Sequence, residues 1–398
     1  MMKVARIPFV SNGFVSAGIL AIAFAMLYAI GIEGMLKAAP IGDDFLVFYR
    51  SGTLFMDGAD PWLALMNSPQ PYSYPPHSLS VIAAYNFLPQ SAALWLHIAI
   101  SLISIAILCY LANIWFLHID SFRNMTIAQA LALALIIGNP YTATSLYQGQ
   151  MTLPVTAALL LSWHFLRNGR WFVSGLLLGI ATLKPQLSIL YVLWLILSLN
   201  IGVLVVGGLL AALMIVPGAF MFGPLVPFES WLTSLGGYSS VAINAPGSPF
   251  VVGLESLLVA HGFTPSRMLM VISCLAGLGL LYGYRRYLNR TTTIHALLVL
   301  SFTFLYAHDY DYVAVILLWS YGLLMVLESG SFARFGFYSA MAVLFFIPQR
   351  LLRDIDFPLL VHSRTLVLVA ICIAIIIWSN RASEAAVFRR AQSSVPAE

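Results

Sequence analysis

The stretch GFVSAGILAIAFAMLYAIGI, residues 13–32, contains twenty consecutive residues without a charged side chain. An α-helix rises about 1.5 Å per residue, so a run of this length crosses the roughly 30 Å hydrocarbon layer of a bilayer. Lys3 and Arg6 precede the run, as in a secretory signal peptide, but no convincing small-residue cleavage site follows it. The stretch therefore predicts a first membrane span.

The rest of the chain has the same character. Of its 398 residues, 61% are hydrophobic and 9% are charged, which is too apolar for a water-soluble core of ordinary composition. No polar stretch is long enough to fold as a separate soluble domain. We therefore predict one all-α, polytopic membrane domain over residues 1–398, and nothing in it indicates binding to nucleic acid.

Hydropathy, with breaks at charged and Pro/Gly clusters, predicts about twelve transmembrane helices. They lie near residues 13–32, 92–117, 126–138, 151–166, 171–183, 187–199, 201–221, 266–284, 293–307, 312–327, 335–347 and 363–380. Residues 78–88 are too few to cross and indicate an interfacial or re-entrant helix within a first outer loop, residues 33–91. A second long outer loop, residues 222–265, could be a lid or an acceptor-binding surface.

Charge indicates the orientation. With a cytoplasmic N-terminus, the inner loops hold twelve of the nineteen Lys and Arg residues but four of the fifteen acidic residues, as the positive-inside rule expects. Both termini are then cytoplasmic, and we expect the plasma (inner) membrane of a bacterium. The outer face receives polar groups from separate segments, namely Asp43, Asp44, Arg50 and residues 72–77, 138–150, 184–186, 308–312 and 348–356. The inner loops carry mainly arginines that anchor to headgroups, so any chemistry faces outward.

Two adjacent aspartates follow the first span. Large aromatic residues hold Asp44 at the apolar boundary, where desolvation should raise its pKa and make it a better proton acceptor near neutral pH. Alternatively, Asp43 and Asp44 cap an interfacial helix. The other polar groups on the same face favour the catalytic interpretation.

Three basic residues could bind an anion. Lys184 ends an apolar run just before Pro185, where it either snorkels to the headgroups or binds a phosphate or carboxylate. Arg50 and Arg350 could hold a phosphate through their guanidinium groups or could simply anchor at the interface.

Uncharged polar groups accompany them. Gln148 and Gln150 flank Gly149 and could bind a hydroxyl-rich ligand or cap a helix. The stiff Pro-Pro turn of SYPPHS could aim Tyr74 and His77 at a cavity rim, or it could be a rigid loop before an amphipathic helix.

The segment HDYDY, residues 308–312, offers His308 and Asp309 as a local pair. It also contains Asp-x-Asp, a pattern that can hold a divalent ion. Of these two interpretations, we favour a plain hydrogen-bonded cluster over a metal site.

Together these motifs resemble the membrane glycosyltransferases of family 87, the polyprenyl-phosphate-mannose-dependent α-mannosyltransferase group. The resemblance lies in five ordered stretches, DDFLVFYRSGTLFMDGADPW, YSYPPHSLSVIAAYNFLPQSAALWL, NPYTATSLYQGQMT, GLLLGIATLKPQLSIL and YAHDYDYVAVIL. It implies a C-type glycosyltransferase fold, with outward loops and interfacial helices that build the active site. It also implies that the aspartate of the first outer loop is the catalytic base, which is Asp44 here, with Asp43 as the fallback.

The resulting hypothesis is an inverting single displacement. Asp44 takes a proton from an acceptor hydroxyl on a lipid or glycan, while Lys184, with His308 or Arg350, stabilises the leaving lipid phosphate. We expect no metal, no other cofactor and no obligate protein partner.

Two alternatives come from other classes. A transporter or lipid flippase would place its polar groups near the midplane, often on repeated, interrupted helices, and no clear repeat is present. A structural membrane protein that binds a partner through its outer loops would not need so many titratable and amide groups on one face.

Overall fold

The computed structural model describes residues 13–33, 41–347, 352 and 357–393 of the chain. Within these residues, regular structure is almost entirely helical, and the described strands form one small antiparallel sheet that pairs Val251 with His308 and Val252 with Ala307. The predicted all-α class is confirmed for this part of the chain.

The helices are numbered in chain order. They are α1 (Gly13–Met26), α2 (Asp43–Met56), α3 (Pro61–Leu65), α4 (Ser78–Tyr85), α5 (Gln90–Ala112), α6 (Ile127–Ile137), α7 (Pro140–Gln148), α8 (Thr152–Arg167), α9 (Trp171–Ala181), α10 (Pro185–Leu197), α11 (Ile201–Phe222), α12 (Val226–Ser240), α13 (Leu254–Ala260), α14 (Arg267–Gly283), α15 (Arg290–Phe304), α16 (Ile316–Ser329), α17 (Phe332–Phe346), α18 (Pro358–Val361) and α19 (Arg364–Ser393). The strands are β1 (Val251–Val252) and β2 (Ala307–His308), and a 3-10 helix, Asp309–Val315, follows β2. Single π-helical segments, Leu27–Glu33 and Asn113–Leu117, extend α1 and α5.

Five helical segments of the described chain are long and apolar enough to cross a membrane. They are Gly13–Gly31, Gln90–Leu117, Ile127–Gln148, Ile201–Phe222 and Asp309–Ser329. Five further apolar helices have 10–17 residues. Each of the twelve predicted spans coincides with a helix and the predicted interfacial piece is α4, but the number of crossings stays a prediction.

Local sequence explains the turn that leads into the polar part of the molecule. The side chain of Asn139 accepts hydrogen bonds from the backbone N–H groups of Tyr141 and Thr142, both at 3.0 Å, and Pro140 occupies the first turn of α7. Gly149 ends α7 in the left-handed region at φ 68°, which a glycine adopts without steric cost. The chain therefore leaves α7 at Gly149 and enters α8 at Thr152, with Gln150 in the turn between them.

Close packing of small residues holds α9 against α11. A Cβ atom at Gly175 would lie 2.6 Å from the Cβ of Val206, so this pair of helices approaches as closely as glycine permits. Such approaches are typical of helix pairs in lipid, where packing rather than the hydrophobic effect drives association. The outer face of α11 is correspondingly open, with Phe220 92% exposed.

Three helices, α8, α10 and α15, contact one another through their side chains. Trp163 of α8 packs against Tyr191 of α10 at 6.0 Å between ring centroids, and its indole N–H donates to the backbone oxygen of Arg290 at 3.0 Å. The hydroxyl of Ser301 in α15 donates to the backbone oxygen of Gln186 in α10. These three helices connect the two cavities described below.

Candidate active site

A cavity of about 290 Å³, here called the polar cavity, collects side chains from six separate parts of the chain. Its lining comes from the first turns of α2, residues 71–75, Gln150, residues 183–186, α12 and residues 305–310. Five residues singled out from the sequence lie on its wall, namely Asp44, Tyr74, Gln150, Lys184 and His308. A size near 300 Å³ is at the small end of the range for ligand sites.

Asp44 lies in the first turn of α2, partly open to the polar cavity. Its Oδ2 accepts a hydrogen bond from the Nε2 of Gln150, whose Oε1 accepts from the hydroxyl of Tyr74 at 3.2 Å. The Gln150 amide thus fixes the carboxylate from one side, and Tyr74 fixes the amide.

Burial raises the pKa of Asp44 to about 6; the hydrogen bond from Gln150 opposes this rise and the neighbouring Asp43 adds to it. At neutral pH the group is therefore ionised, yet it accepts a proton more readily than an ordinary carboxylate. Neither aspartate caps α2 through its side chain: the N-cap residue is Gly42, at φ 80°. The capping alternative is wrong, although both carboxylates lie at the positive end of the helix dipole.

Lys184 is buried, with 3% of its side chain exposed. Its Nζ lies 2.6 Å from the Oδ1 of Asp311 and 2.6 Å from the Oγ1 of Thr152, and 4.9 Å from the ring centroid of Tyr310. The snorkelling interpretation is therefore wrong, because an ammonium that reached the headgroups would not be enclosed by these partners. The structure instead presents a fixed cation at the cavity wall.

His308 occupies β2, where pairing with β1 holds its backbone. Its Nε2 lies 2.7 Å from the hydroxyl of Tyr238 and 3.0 Å from that of Tyr306, and its ring stacks on Tyr310. Burial lowers the pKa of His308 to about 4, so the imidazole is neutral at neutral pH. It therefore adds no positive charge to the cavity, and its Nε2 is engaged by the two tyrosine hydroxyls.

The two carboxylates of the Asp-x-Asp pattern have different partners. Asp309 lies 3.8 Å from a guanidinium nitrogen of Arg364, so it does not form the predicted pair with His308. Asp311 pairs with Lys184 through Oδ1 and accepts a hydrogen bond from the backbone N–H of His308 through Oδ2 at 3.2 Å. Among the described residues, no group of three His, Cys, Asp or Glu side chains is arranged to hold a metal ion.

Comparison with known proteins identifies the class of protein. The family model described as glycosyltransferase family 87 matches residues 72–329, which is more than half of the chain. The chain belongs to glycosyltransferase family 87. No curated protein and no solved structure matches it.

As a family 87 member it is a membrane glycosyltransferase, in agreement with its apolar helices. The match includes Tyr74, Gln150, Lys184 and His308 but begins after Asp44. The assignment of Asp44 therefore rests on its place in the polar cavity, beside residues that the family model does cover.

Several residues predicted from the sequence do not line the polar cavity of this glycosyltransferase. Asp43 accepts a hydrogen bond from Gln70 at 2.9 Å, and Arg50 is exposed beside a separate space of about 100 Å³. His77 precedes α4 and bonds Thr182 at 3.1 Å, behind the cavity wall.

Of three further residues predicted from the sequence, Gln148, Asp309 and Arg350, the structure describes the first two, and neither lines the polar cavity. Gln148 lies in the last turn of α7, and its Oε1 is buried without a hydrogen-bond partner among the described residues. Asp309 faces Arg364 instead. Arg350 lies outside the residues that the structure describes.

The structure adds residues that sequence reasoning did not select. The segment 222–265, predicted as a long loop, contains α12, which places Trp231, Leu235 and Tyr238 on the cavity wall. The indole of Trp231 donates to the backbone oxygen of Ser73 at 2.9 Å, and Ser230 donates to Asp60 at 2.5 Å, so α12 is fastened to the first loop. Trp231, Leu235 and Tyr238 are spaced four and three residues apart, which puts their side chains on one face of α12. This spacing was already visible in the sequence.

Proposed function

We propose that this family 87 glycosyltransferase moves a hexose, mannose in the first instance, from a polyprenyl-phosphate donor to an acceptor hydroxyl with inversion. The observation that carries the proposal is one cavity with a hydrogen-bonded carboxylate, Asp44, and a buried cation, Lys184. The reaction needs a base for the acceptor and a positive charge for the leaving phosphate, and these are the two groups that the polar cavity offers.

The proposed step is a single displacement. Asp44 accepts the proton of the acceptor hydroxyl while that oxygen forms a bond to the anomeric carbon from the face opposite the phosphate. The bond between the anomeric carbon and the phosphate oxygen breaks, and the polyprenyl phosphate leaves with the electron pair. Proton transfer of this kind typically contributes about 10²–10⁴-fold to a rate.

Lys184 meets the charge that develops on the leaving phosphate. Because Asp311 and Thr152 hold its ammonium group within 2.6 Å, the cation is in place before the donor arrives and needs little reorganisation. His308 contributes a hydrogen bond as a neutral imidazole, and Arg350 remains a proposed ligand. The proposal invokes neither a metal ion nor another cofactor, because side chains neutralise the leaving group.

We place the polar cavity on the outer side of the bacterial plasma membrane, in a C-type fold of about twelve spans with both termini in the cytoplasm. Arg167 and Arg290, predicted to be cytoplasmic, lie at the ends of α8 and α15 that are remote from the polar cavity, which supports this orientation. The donor reaches the cavity laterally from the outer leaflet, the acceptor is a lipid or a glycan, and segment 222–265 covers the acceptor side. No protein partner is required.

The test is transfer of radiolabelled sugar by the purified protein from polyprenyl-phosphate-mannose, with polyprenyl-phosphate-glucose as the comparison donor, at pH 8. We expect Asp44→Asn to lower the rate by at least about 10²-fold, since it keeps the shape but removes the base. Asp43→Asn is the matched control, because it removes the adjacent carboxylate and leaves Asp44 in place. Equal loss in both variants, or loss in Asp43→Asn alone, would overturn the assignment of Asp44.

A further inference from the structure

A second cavity of about 440 Å³, here called the basic cavity, lies at the other end of α8, α10 and α15. Its base contains the buried indoles of Trp163 and Trp194, and its rim carries the exposed guanidinium groups of Arg167, Arg285 and Arg286. The polar cavity shares none of its lining residues.

The two cavities lie at opposite ends of α8, α10 and α15. Helix α8 begins at Thr152, which bonds Lys184, and ends at Arg167 on the basic rim. Helix α10 begins at Pro185 in the polar cavity and reaches the basic cavity at Trp194, while α15 runs the opposite way. Sixteen helical residues separate the ends of α8 by about 23 Å.

The positive charge at the basic cavity is not neutralised by its surroundings. No lining residue that the structure describes is acidic. Arg285 lies 4.0 Å from the ring centroid of Tyr282 and Arg167 5.7 Å from that of Trp163, so both guanidinium groups lie over aromatic rings. Burial and the charge of Arg167 lower the pKa of Arg290 at the same end of the molecule, as expected in an uncompensated positive field.

Helix dipoles do not supply the missing negative charge. Helices α8 and α10 end at this cavity, while α11 and α15 begin there, so the partial charges of their termini largely cancel. The arginines therefore decide the sign of the potential, and an anion is the complementary ligand.

The surroundings of the basic rim favour a lipid over a free anion. Tyr284 and Tyr287 flank Arg285 and Arg286 and are 63% and 67% exposed, and Leu199 beside the cavity is 79% exposed. Aromatic side chains at this level typify the membrane interface, and basic pockets between helices on the cytoplasmic side suit anionic headgroups. The exposed apolar residues give an acyl chain a surface that inorganic phosphate would not use.

We propose that the basic cavity binds the phosphate headgroup of an anionic phospholipid in the cytoplasmic leaflet. The two phosphate oxygens accept hydrogen bonds from the rim arginines, the headgroup lies over the two indoles, and the acyl chains follow the exposed aromatic edge. Because α8 and α10 end at this cavity and α15 begins there, the bound lipid ties together helices that reach the polar cavity at their other ends. The assignment to the cytoplasmic leaflet rests on the orientation proposed above, whereas the binding site itself does not depend on the sugar, the donor or the catalytic role of Asp44.

The test measures binding of short-chain phosphatidylglycerol to the full-length protein in a neutral detergent, by native mass spectrometry. We expect Arg285→Gln/Arg286→Gln to raise the dissociation constant by at least about tenfold, since the variant loses both the charge and the charge-assisted hydrogen bonds that hold the phosphate. Arg170→Gln/Arg334→Gln, which removes two arginines outside the cavity, should bind as the wild type does. Arg285→Lys/Arg286→Lys retains the charge and should keep part of the affinity if it folds as the wild type does.

Phosphatidylcholine and inorganic phosphate are the comparison ligands. Phosphatidylglycerol should bind more tightly than either. Equal binding of phosphatidylcholine would show that no anionic headgroup is selected, and binding of inorganic phosphate alone would show that the site is not a lipid site. Unchanged phosphatidylglycerol affinity in the Gln double variant would likewise overturn the proposal, and unfolding temperatures in phosphatidylcholine nanodiscs would show that the variants are folded.

Discussion

The carboxylate of Asp44 is tuned by two neighbours that act in opposite directions. Gln150 donates a hydrogen bond to the ionised form and so lowers the pKa, while the charge of Asp43 raises it. Burial is the largest influence and brings the pKa to about 6. A base with this pKa is ionised at neutral pH and still retains proton affinity, which is the compromise that general-base catalysis requires.

The rate of sugar transfer should therefore depend on pH through Asp44. We expect kcat/KM to rise with pH up to a plateau above about 6 and to fall about tenfold per unit below it. Gln150→Met removes the hydrogen bond that favours the carboxylate, so the acid limb should move to higher pH. Asp43→Asn removes a like charge, so the limb should move to lower pH.

The measurement is a pH–rate profile for the three proteins in the same detergent and at constant ionic strength. Profiles that coincide would show that another group sets the acid limb.

The raised pKa of Asp44 also makes the folding stability depend on pH. Because the pKa is raised from 3.8 to about 6, the contribution of Asp44 to folding stability is greatest at low pH and declines as the pH rises between these values.

Lys184 illustrates how a charge can be kept inside an apolar protein. Asp311, itself fully buried, and Thr152 satisfy its ammonium group, and removal of either charge alone would leave the other buried and unpaired. Such an imbalance costs about 3–5 kcal/mol in soluble proteins. The pairing joins the loop before α10 to the 3-10 helix after β2, so it also positions the cavity wall.

At the scale of elements, the turn from α7 to α8 sets the position of Gln150. Gly149 adopts φ 68°, and a Cβ atom added there would lie 2.7 Å from the Cβ of Phe45. That atom is attached directly to the backbone of α2, next to Asp44, so it cannot rotate away. The glycine thus permits α2 and the α7–α8 turn to approach closely enough for Gln150 to reach the carboxylate.

Gly149→Ala should therefore lower the rate of transfer and the unfolding temperature by moving α2 away from the turn. Gly169→Ala is the matched control, since Gly169 has φ 75° but open space around its Cβ position. The control suffers only the left-handed strain of about 1–2 kcal/mol, without the clash. Equal effects of the two substitutions, measured by transfer rate and thermal unfolding in detergent, would show that the contact with Phe45 is unimportant.

At the scale of the whole molecule, α8, α10 and α15 form an axis with a polar cavity at one end and a basic cavity at the other. The polar cavity lies at the ends of these helices, whereas a typical transporter places its substrate groups midway along its spans. The proposed chemistry and the proposed lipid binding thus lie at opposite ends of the same helices, and the asymmetry of charge gives the axis a direction.

The side of the membrane that the polar cavity faces can be checked by labelling single cysteines with a membrane-impermeant maleimide in intact cells. Cys109, Cys274 and Cys372 are first replaced. Ser239→Cys lies on the exposed side of α12, beside the polar cavity, and should react. Arg170→Cys lies in the turn between α8 and α9 and should react only after the membrane is permeabilised. The reverse pattern would place the polar cavity in the cytoplasm.

The sequence by itself determined the helical class, the position of each apolar helix and the family resemblance, because lipid requires long apolar runs and every backbone group must be satisfied within a helix. It also singled out Asp44, Gln150, Lys184 and His308, since polar residues in so apolar a chain are conspicuous. Only the tertiary structure decided their partners. Asp311 and Thr152 are 127 and 32 residues from Lys184 along the chain, and Tyr238 is 70 residues from His308, so these pairs meet through helix packing, which local periodicity does not encode.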